Sequence, residues 1–169
     1  MAEKRVLHIV RHAKSSWDYE NISDIDRPLK LRGIRDAYEM ARRLKINRRS
    51  PGRVICSPAN RAMHTASIFV RVFEKDYNMV CIDARLYAQG YKKIIEVIQE
   101  QDDAFSEMMI FGHNPDFSDL AGQFSQESYI DMPTCGVVSL TFEADTWKEI
   151  SLKTVVGEEV DFPKKEMSI

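Results

Sequence analysis

Apolar positions in this chain fall into short runs separated by longer stretches of helical spacing. The run Val6-Leu7-His8-Ile9-Val10 reads as a buried strand over residues 5–10, and it ends abruptly in Arg11-His12 and a polar loop. Similar short runs predict strands over 53–56, 78–82 and 108–112. Between them, Leu31, Ile34, Tyr38, Ala41 and Leu44 fall near helical spacing and predict a helix over 31–46. A second helix is expected from Ser57-Pro58 to about residue 74, a third over 91–101, and a fourth from His113-Asn114-Pro115 to about residue 124. Ser57-Pro58 and His113-Asn114-Pro115 both have the form of a helix cap followed by proline at the first helical position. Residues 18–27 are acidic, polar and without period, a loop long enough to act as a lid. Residues 136–142 and 147–155 both alternate and predict a hairpin, whereas the charged residues 157–169 are expected to fray. Strand and helix alternate, so the expected class is α/β. The architecture is a three-layer sandwich with a mainly parallel central sheet and an antiparallel edge hairpin. The 169 residues fit a single domain spanning 1–169.

Composition narrows the function classes. The net charge of -2 gives no overall basic field, which speaks against a nucleic-acid partner, so any anion-binding charge must be local. Cys56, Cys81 and Cys135 are odd in number and have no CxxC spacing, which argues against a disulfide framework or a zinc site. No signal peptide or membrane-spanning run is legible, so a cytoplasmic protein without a membrane partner is expected. The sequence leaves the oligomeric state open.

The chemistry collects at the strand ends. Arg11 and His12 close the first strand, Arg61 lies one turn into the helix after the second, and His113 follows the fourth. Ligands in open α/β sheets bind at these carboxyl ends. Two arginines and two histidines make an anion site, because guanidinium matches phosphate oxygens bidentately and stays charged. Adjacent positive charge lowers the pKa of a histidine, leaving it neutral and nucleophilic near pH 7. Positioning and charge neutralisation dominate phosphoryl transfer, so this set needs no metal or other cofactor. Each residue alone has a plainer reading as a capping pair, a solvated arginine or a turn histidine. The repetition of the pattern favours the site.

These motifs resemble the histidine phosphatase superfamily, which includes the phosphoglycerate mutases. The run Arg11-His12-Ala13-Lys14-Ser15-Ser16-Trp17 is most similar to the SixA-type phosphohistidine phosphatase branch. The same holds for Asp26-Arg27-Pro28-Leu29 with Arg32-Gly33, Ser57-Pro58-Ala59-Asn60-Arg61-Ala62 with Thr65-Ala66, Gly112-His113-Asn114-Pro115, and Pro133-Thr134-Cys135-Gly136-Val137-Val138. The resemblance implies a phosphoglycerate mutase-like fold and a set of roles. His12 matches the nucleophile, Arg11 and Arg61 the phosphate clamp, and His113 the second histidine that steadies the transition state. Ser15 matches a serine that the mutases place near the phosphate.

Three departures stand out. Ala13 replaces the motif glycine, which costs little at an ordinary backbone angle but argues for a different local turn. Asp18 stands where mutases commonly carry asparagine. The Arg85-Leu86-Tyr87-Ala88-Gln89-Gly90 loop lacks the glutamate that serves mutase-like members as general acid. A positioned acid usually contributes ~10²–10⁴-fold, and imidazole, whose conjugate acid has a pKa of about 6.5, leaves more readily than an alkoxide. The missing acid therefore favours a phosphohistidine substrate, with a histidine-phosphorylated protein among the candidate partners. Asp18, Asp24 or Asp26 would restore an acid if the lid folded over the phosphate. The alternatives are a small-molecule phosphomonoester phosphatase or mutase and, from another class, a non-catalytic phosphoprotein-binding module.

Smaller features have plainer readings. Cys56 and Arg61 are one residue too close for a cysteine-phosphatase loop, so Cys56 and Cys135 read as packing thiols. His8 reads as a satisfied core histidine. Lys14 is either a substrate contact or a solvated lysine, and His64 either a pocket residue or a structural one. Trp17 is a candidate pocket wall. The basic stretch 42–49 reads as cations suited to a helix carboxyl end.

Overall fold

A computed structural model describes residues 2–47, 49–127 and 130–165. Six strands form one sheet: β1 (Lys4–Arg11), β2 (Arg53–Cys56), β3 (Val80–Ile82), β4 (Glu107–Gly112), β5 (Val137–Glu143) and β6 (Val155–Asp161). Their spatial order is β3-β2-β4-β1-β5-β6. The first four are mutually parallel, while β5 runs antiparallel to β1 and β6 antiparallel to β5. Helices α1 (Leu31–Ile46), α2 (Asn60–Val72), α3 (Tyr91–Gln99) and α4 (Asp116–Phe124) complete the alternation.

The apolar run of β4 explains the three layers. Met108 and Ile110 pack with Leu7, Ile9, α3 and α4 on one face. Met109 and Phe111 pack with Val10, Val54, α1 and α2 on the other. A strand buried on both faces must be apolar throughout, which is why the pattern shows no alternation there. His8 lies in β1, next to β4, where its ring bonds to Ser139 Oγ at 2.7 Å and Glu107 Oε1 at 2.8 Å. It is a satisfied core histidine, as the sequence indicates. No helix among the described residues is long and apolar enough to cross a membrane.

Register brings the chemistry together. Arg11 pairs with Gly112, and Cys56 with Phe111, so β1, β2 and β4 end side by side. The ladder continues one residue further, with His12 N donating to Gly112 O at 2.9 Å and Ser57 N to Phe111 O at 3.0 Å.

The elements differ from the sequence reading at three places. The two cap-proline pairs do not open their helices. Helix α2 starts at Asn60 after Ala59, and α4 at Asp116 after Pro115. The Ser57 hydroxyl accepts from Ala59 N in a turn ahead of α2 and bonds to His113, and Asn114 Oδ1 accepts from Ser118 N. Secondly, the hairpin arm expected over 147–155 is a 3-10 turn at Trp147–Glu149. Trp147 is fully buried there and donates Nε1–H to Phe105 O at 2.8 Å. Finally, the arm itself is β6, which begins at Val155 and runs into the span expected to fray. Its charges suit an exposed edge strand, and Arg43 and Arg49 hold Asp161 and Glu159 at 3.1 Å each. Residues 166–169 lie outside the described ones.

Helix α1 also braces the loop after β1. Lys30 N donates to Lys14 O at 2.9 Å, and a β-carbon on Gly33 would lie 2.2 Å from that same carbonyl. Helix propensity alone favours alanine over glycine by about 1 kcal/mol, but here the obstacle is backbone that no side-chain rotation relieves. Gly33→Ala is therefore expected to destabilise the protein by roughly 1–3 kcal/mol, read as a lower urea midpoint. A raised midpoint would show that the loop yields freely.

Candidate active site

Three strand ends and one lid loop build a single cavity of about 220 Å³. Its wall includes Arg11, His12, Lys14, Ser15, Arg61 and His113, so all six residues singled out from the sequence meet there. Arg27 and Trp17 join them.

The His12 side chain is buried beyond β1, and its Nδ1 lies 2.7 Å from Ala13 O. A carbonyl only accepts, so Nδ1 carries the proton and Nε2 holds the lone pair of the neutral ring. The backbone makes this possible without strain, because Ala13 has no positive φ. Ala13 N donates to Thr65 Oγ1 at 3.0 Å, and Thr65 in turn donates to Arg61 O at 2.7 Å. Thr65 thus ties the first turn of α2, and with it Arg61, to the His12 loop.

His113 lies with its ring centroid 5.1 Å from that of His12. Its Nε2 is 2.7 Å from Ser57 Oγ, which also accepts from Ala59 N at 3.2 Å. When the Ser57 hydroxyl donates to Nε2, the His113 proton lies on Nδ1. That Nδ1, with Arg11 Nε and Arg61 Nε, is buried and has no hydrogen-bond partner among the described residues. Leaving such groups unpaired costs free energy, and an anion that accepts from them recovers it.

Burial is the main cause of the histidine shifts. It pushes His12 down to about 3, with smaller contributions from His113, Arg61 and Arg11. It pushes His113 down to about 4, with Arg61 next. The sequence reading attributed the lowering of His12 to its arginines; desolvation outranks them, because the ring lies below the surface where a charged form is poorly solvated.

The lid contributes more than a cover. Arg27 is buried and donates to Ser16 O at 3.1 Å, Ser15 Oγ at 2.5 Å and Asp24 Oδ1 at 3.0 Å. Its guanidinium carbon lies 3.3 Å from the Trp17 ring centroid, so Trp17 is a wall, stacked on a cation. Arg61 donates to Asp24 O at 2.6 Å and Asp24 Oδ2 at 2.9 Å. The Tyr87 hydroxyl donates to the same Oδ2 at 2.6 Å, and its ring meets His113 edge-on at 5.3 Å. The Tyr87 hydroxyl first, then Arg61 and Arg27, hold the Asp24 carboxyl well below the usual carboxylate range. Of the three candidate lid acids Asp18, Asp24 and Asp26, Asp24 alone bonds to the arginines of the cavity. Asp26 accepts from Ser23, and Asp18 lines a neighbouring cavity with Tyr19 and Lys30.

Arg27, Tyr87, Ser57 and Thr65 carry functional contacts that the sequence reading did not assign. Arg27 stood inside a recognised motif, the single cation of an acidic loop, and that contrast was the available signal. Tyr87 had none, because its partner lies 63 residues away. The thiols behave as packing groups: burial pushes Cys56 and Cys135 up, and Cys135 N donates to His12 O at 3.0 Å. His64 is not among the residues of the cavity wall. In the basic stretch, Arg43, Lys45 and Arg49 pair with acids of the fold, and Arg48 lies outside the described residues.

Comparison with known proteins gives the family and the fold. A family model described as Histidine phosphatase superfamily (branch 1) matches residues 7–109. An uncharacterized protein of Mycobacterium tuberculosis is 31% identical over 157 residues, spanning 83% of this chain and 91% of its own length. A protein from Nakamurella multipartitia, described provisionally as the phosphohistidine phosphatase SixA, superposes with a TM-score of 0.81 at 19% identity, covering 97% of this chain and 99% of that one. The protein histidine phosphatase SixA complexed with tungstate gives 0.76 at 19%, covering 94% and 97%. At these identities the structural likeness concerns the fold, which is the mutase-like one expected from the sequence.

The two depressed histidines link stability to pH. Between about pH 4 and their ordinary 6.5, the unfolded chain binds more protons than the native one. Stability is therefore present above pH 6.5 and lost as pH falls below it. At about 1.4 kcal/mol per unit, the pair costs on the order of several kcal/mol by pH 4. Urea titrations at pH 7 and 4.5 are expected to show a larger loss for wild type than for a His12→Asn/His113→Asn variant. Equal losses would mean that the rings are not held neutral.

Proposed function

The chain belongs to the histidine phosphatase superfamily, and from that membership we propose that it hydrolyses phosphohistidine through a covalent intermediate on His12. The observation that carries this reading is the fixed tautomer of His12, whose free Nε2 lone pair shares a cavity with a set of cationic donors. Nε2 attacks phosphorus, the P–N bond breaks, and the departing imidazole takes the electron pair. Water then attacks the phosphorus on His12 and releases inorganic phosphate. Arg11 and Arg61 pair with the equatorial oxygens, Arg27 and Lys14 add positive charge, and Ser15 lines the floor. His113 donates Nδ1–H to the same oxygens, which gain charge in the transition state.

The substrate class follows from the leaving group. The loop 85–90 carries no acidic residue, and the carboxylate that bonds to the arginines of the cavity, Asp24, is held ionised. An ionised carboxylate cannot donate the proton that an alkoxide needs, whereas a phosphoimidazole already protonated at its second nitrogen departs as neutral imidazole. The solved SixA phosphatases that share this fold act as a parallel for the same class. A histidine-phosphorylated protein fits the reading as partner.

A paired ³¹P NMR time course tests it, with a histidine-phosphorylated protein in one tube and a sugar phosphate in the other. Wild type is expected to remove the P–N signal and His12→Ala to leave it. Arg61→Ala is expected to slow the loss by about 10²–10³-fold. Loss of the sugar phosphate instead would indicate a phosphomonoester phosphatase. Absence of turnover in both tubes, with phosphate still bound, would indicate a binding module.

A further inference from the structure

We propose that Asp24 selects the leaving group, its carboxylate accepting a hydrogen bond from the ring N–H of the departing imidazole. The proposal rests on the phosphohistidine reading above and adds a residue to it. Four observations support it.

The first is charge. Arg11, Arg27, Arg61 and Lys14 surround the cavity, and His113 presents a donor. Asp24 is the one carboxylate within ion-pair distance of the cavity's arginines among the described residues. The cavity wall is rich in cations and donors, and the carboxylate stands against two of its arginines.

The second is capacity. Each carboxylate oxygen offers about two lone-pair sites. Oδ2 receives Arg61 and Tyr87, but Oδ1 receives Arg27 alone. One acceptor site on Oδ1 stays free, and the side chain is 48% exposed, so an incoming group can reach it.

The third is rigidity. Arg61 comes from α2, Arg27 from the lid and Tyr87 from the 85–90 loop, and all three bond to Asp24. A carboxylate clamped from three sides keeps its place while the phosphoryl group moves.

The fourth is the chemistry of departure. A phosphorylated imidazole protonated at its second nitrogen carries positive charge. When the P–N bond breaks, both electrons pass to the released nitrogen and the product is neutral imidazole with its N–H intact. A carboxylate facing that N–H favours the protonated reactant, which is the form that leaves well. An oxygen leaving group develops negative charge instead, which the same carboxylate repels. Asp24 thus distinguishes the two bond types through the sign of charge on the leaving group, with no proton of its own to give.

The test compares kcat/KM for phosphoimidazole and for p-nitrophenyl phosphate, whose leaving group needs no proton. The proteins are wild type, Asp24→Asn and Asp24→Glu. In Asp24→Asn the phosphoimidazole to p-nitrophenyl phosphate ratio is expected to fall by about 10–100-fold, and Asp24→Glu is expected to restore part of it. If Asp24 merely held Arg61 and Arg27 in place, both substrates would fall together and the ratio would stay constant, which overturns the proposal. A wild type that does not cleave phosphoimidazole but cleaves the aryl ester overturns the phosphohistidine reading and this inference with it. The two failures are therefore distinguishable.

Discussion

Concentrating like charge in a small, partly buried volume is the constraint on which this structure turns. Arg11, Arg27, Arg61 and Lys14 converge on a cavity of about 220 Å³. Their mutual repulsion and the cost of desolvation both oppose folding. The fold meets that cost with rigid attachment. Arg11 is anchored to Met132 O at 2.9 Å, Arg61 to the Asp24 backbone and side chain, and Arg27 to Ser15, Ser16 and Asp24. Among the described residues, Arg11 Nε, Arg61 Nε and His113 Nδ1 stay buried without a hydrogen-bond partner.

Rigidity comes from the layers behind the site. The register of β1 against β4 and of β4 against β2 sets the spacing of His12, Ser57 and His113. Thr65 then locks α2 to the loop after β1, and Gly33 lets α1 close on the same loop. Ala13 O fixes the tautomer of His12, and Ser57 holds His113 through Nε2, so the two rings are anchored through different nitrogens. His12 keeps its Nε2 lone pair, and His113 carries its proton on Nδ1 when Ser57 donates to it. Both remain neutral because they are buried, so the division of roles does not depend on a pKa difference between them.

The sheet and the strand-end residues were legible in the sequence for a simple reason. Periodicity marks where a strand stops, and in an α/β sheet the residue after the stop is at the ligand rim. Arg11, His12, Arg61 and His113 were found that way, and all line one cavity. The errors have equally specific causes. Trp147 opens an alternating run, but it is a buried anchor whose indole bonds to Phe105 O. β6 looked like a solvated tail because an exposed edge strand is charged by necessity. Ser57 and Asn114 precede prolines as caps do, yet Ser57 bonds to His113 and Asn114 bonds to Ser118 inside α4.

The sequence by itself determined the order of elements, the apolar strands that build the sheet, and which side chains stand at its carboxyl rim. These are local properties, set by the period of burial along a strand or helix. Only the tertiary structure decided how Asp24 and Arg27 sit among the other charges, which acid of the lid pairs with the cavity's arginines, and that Tyr87 bonds to it. It also decided that burial, ahead of charge, keeps His12 neutral. Each of these depends on distances between residues far apart in the chain and on how much solvent is excluded between them, and neither quantity has a periodic signature.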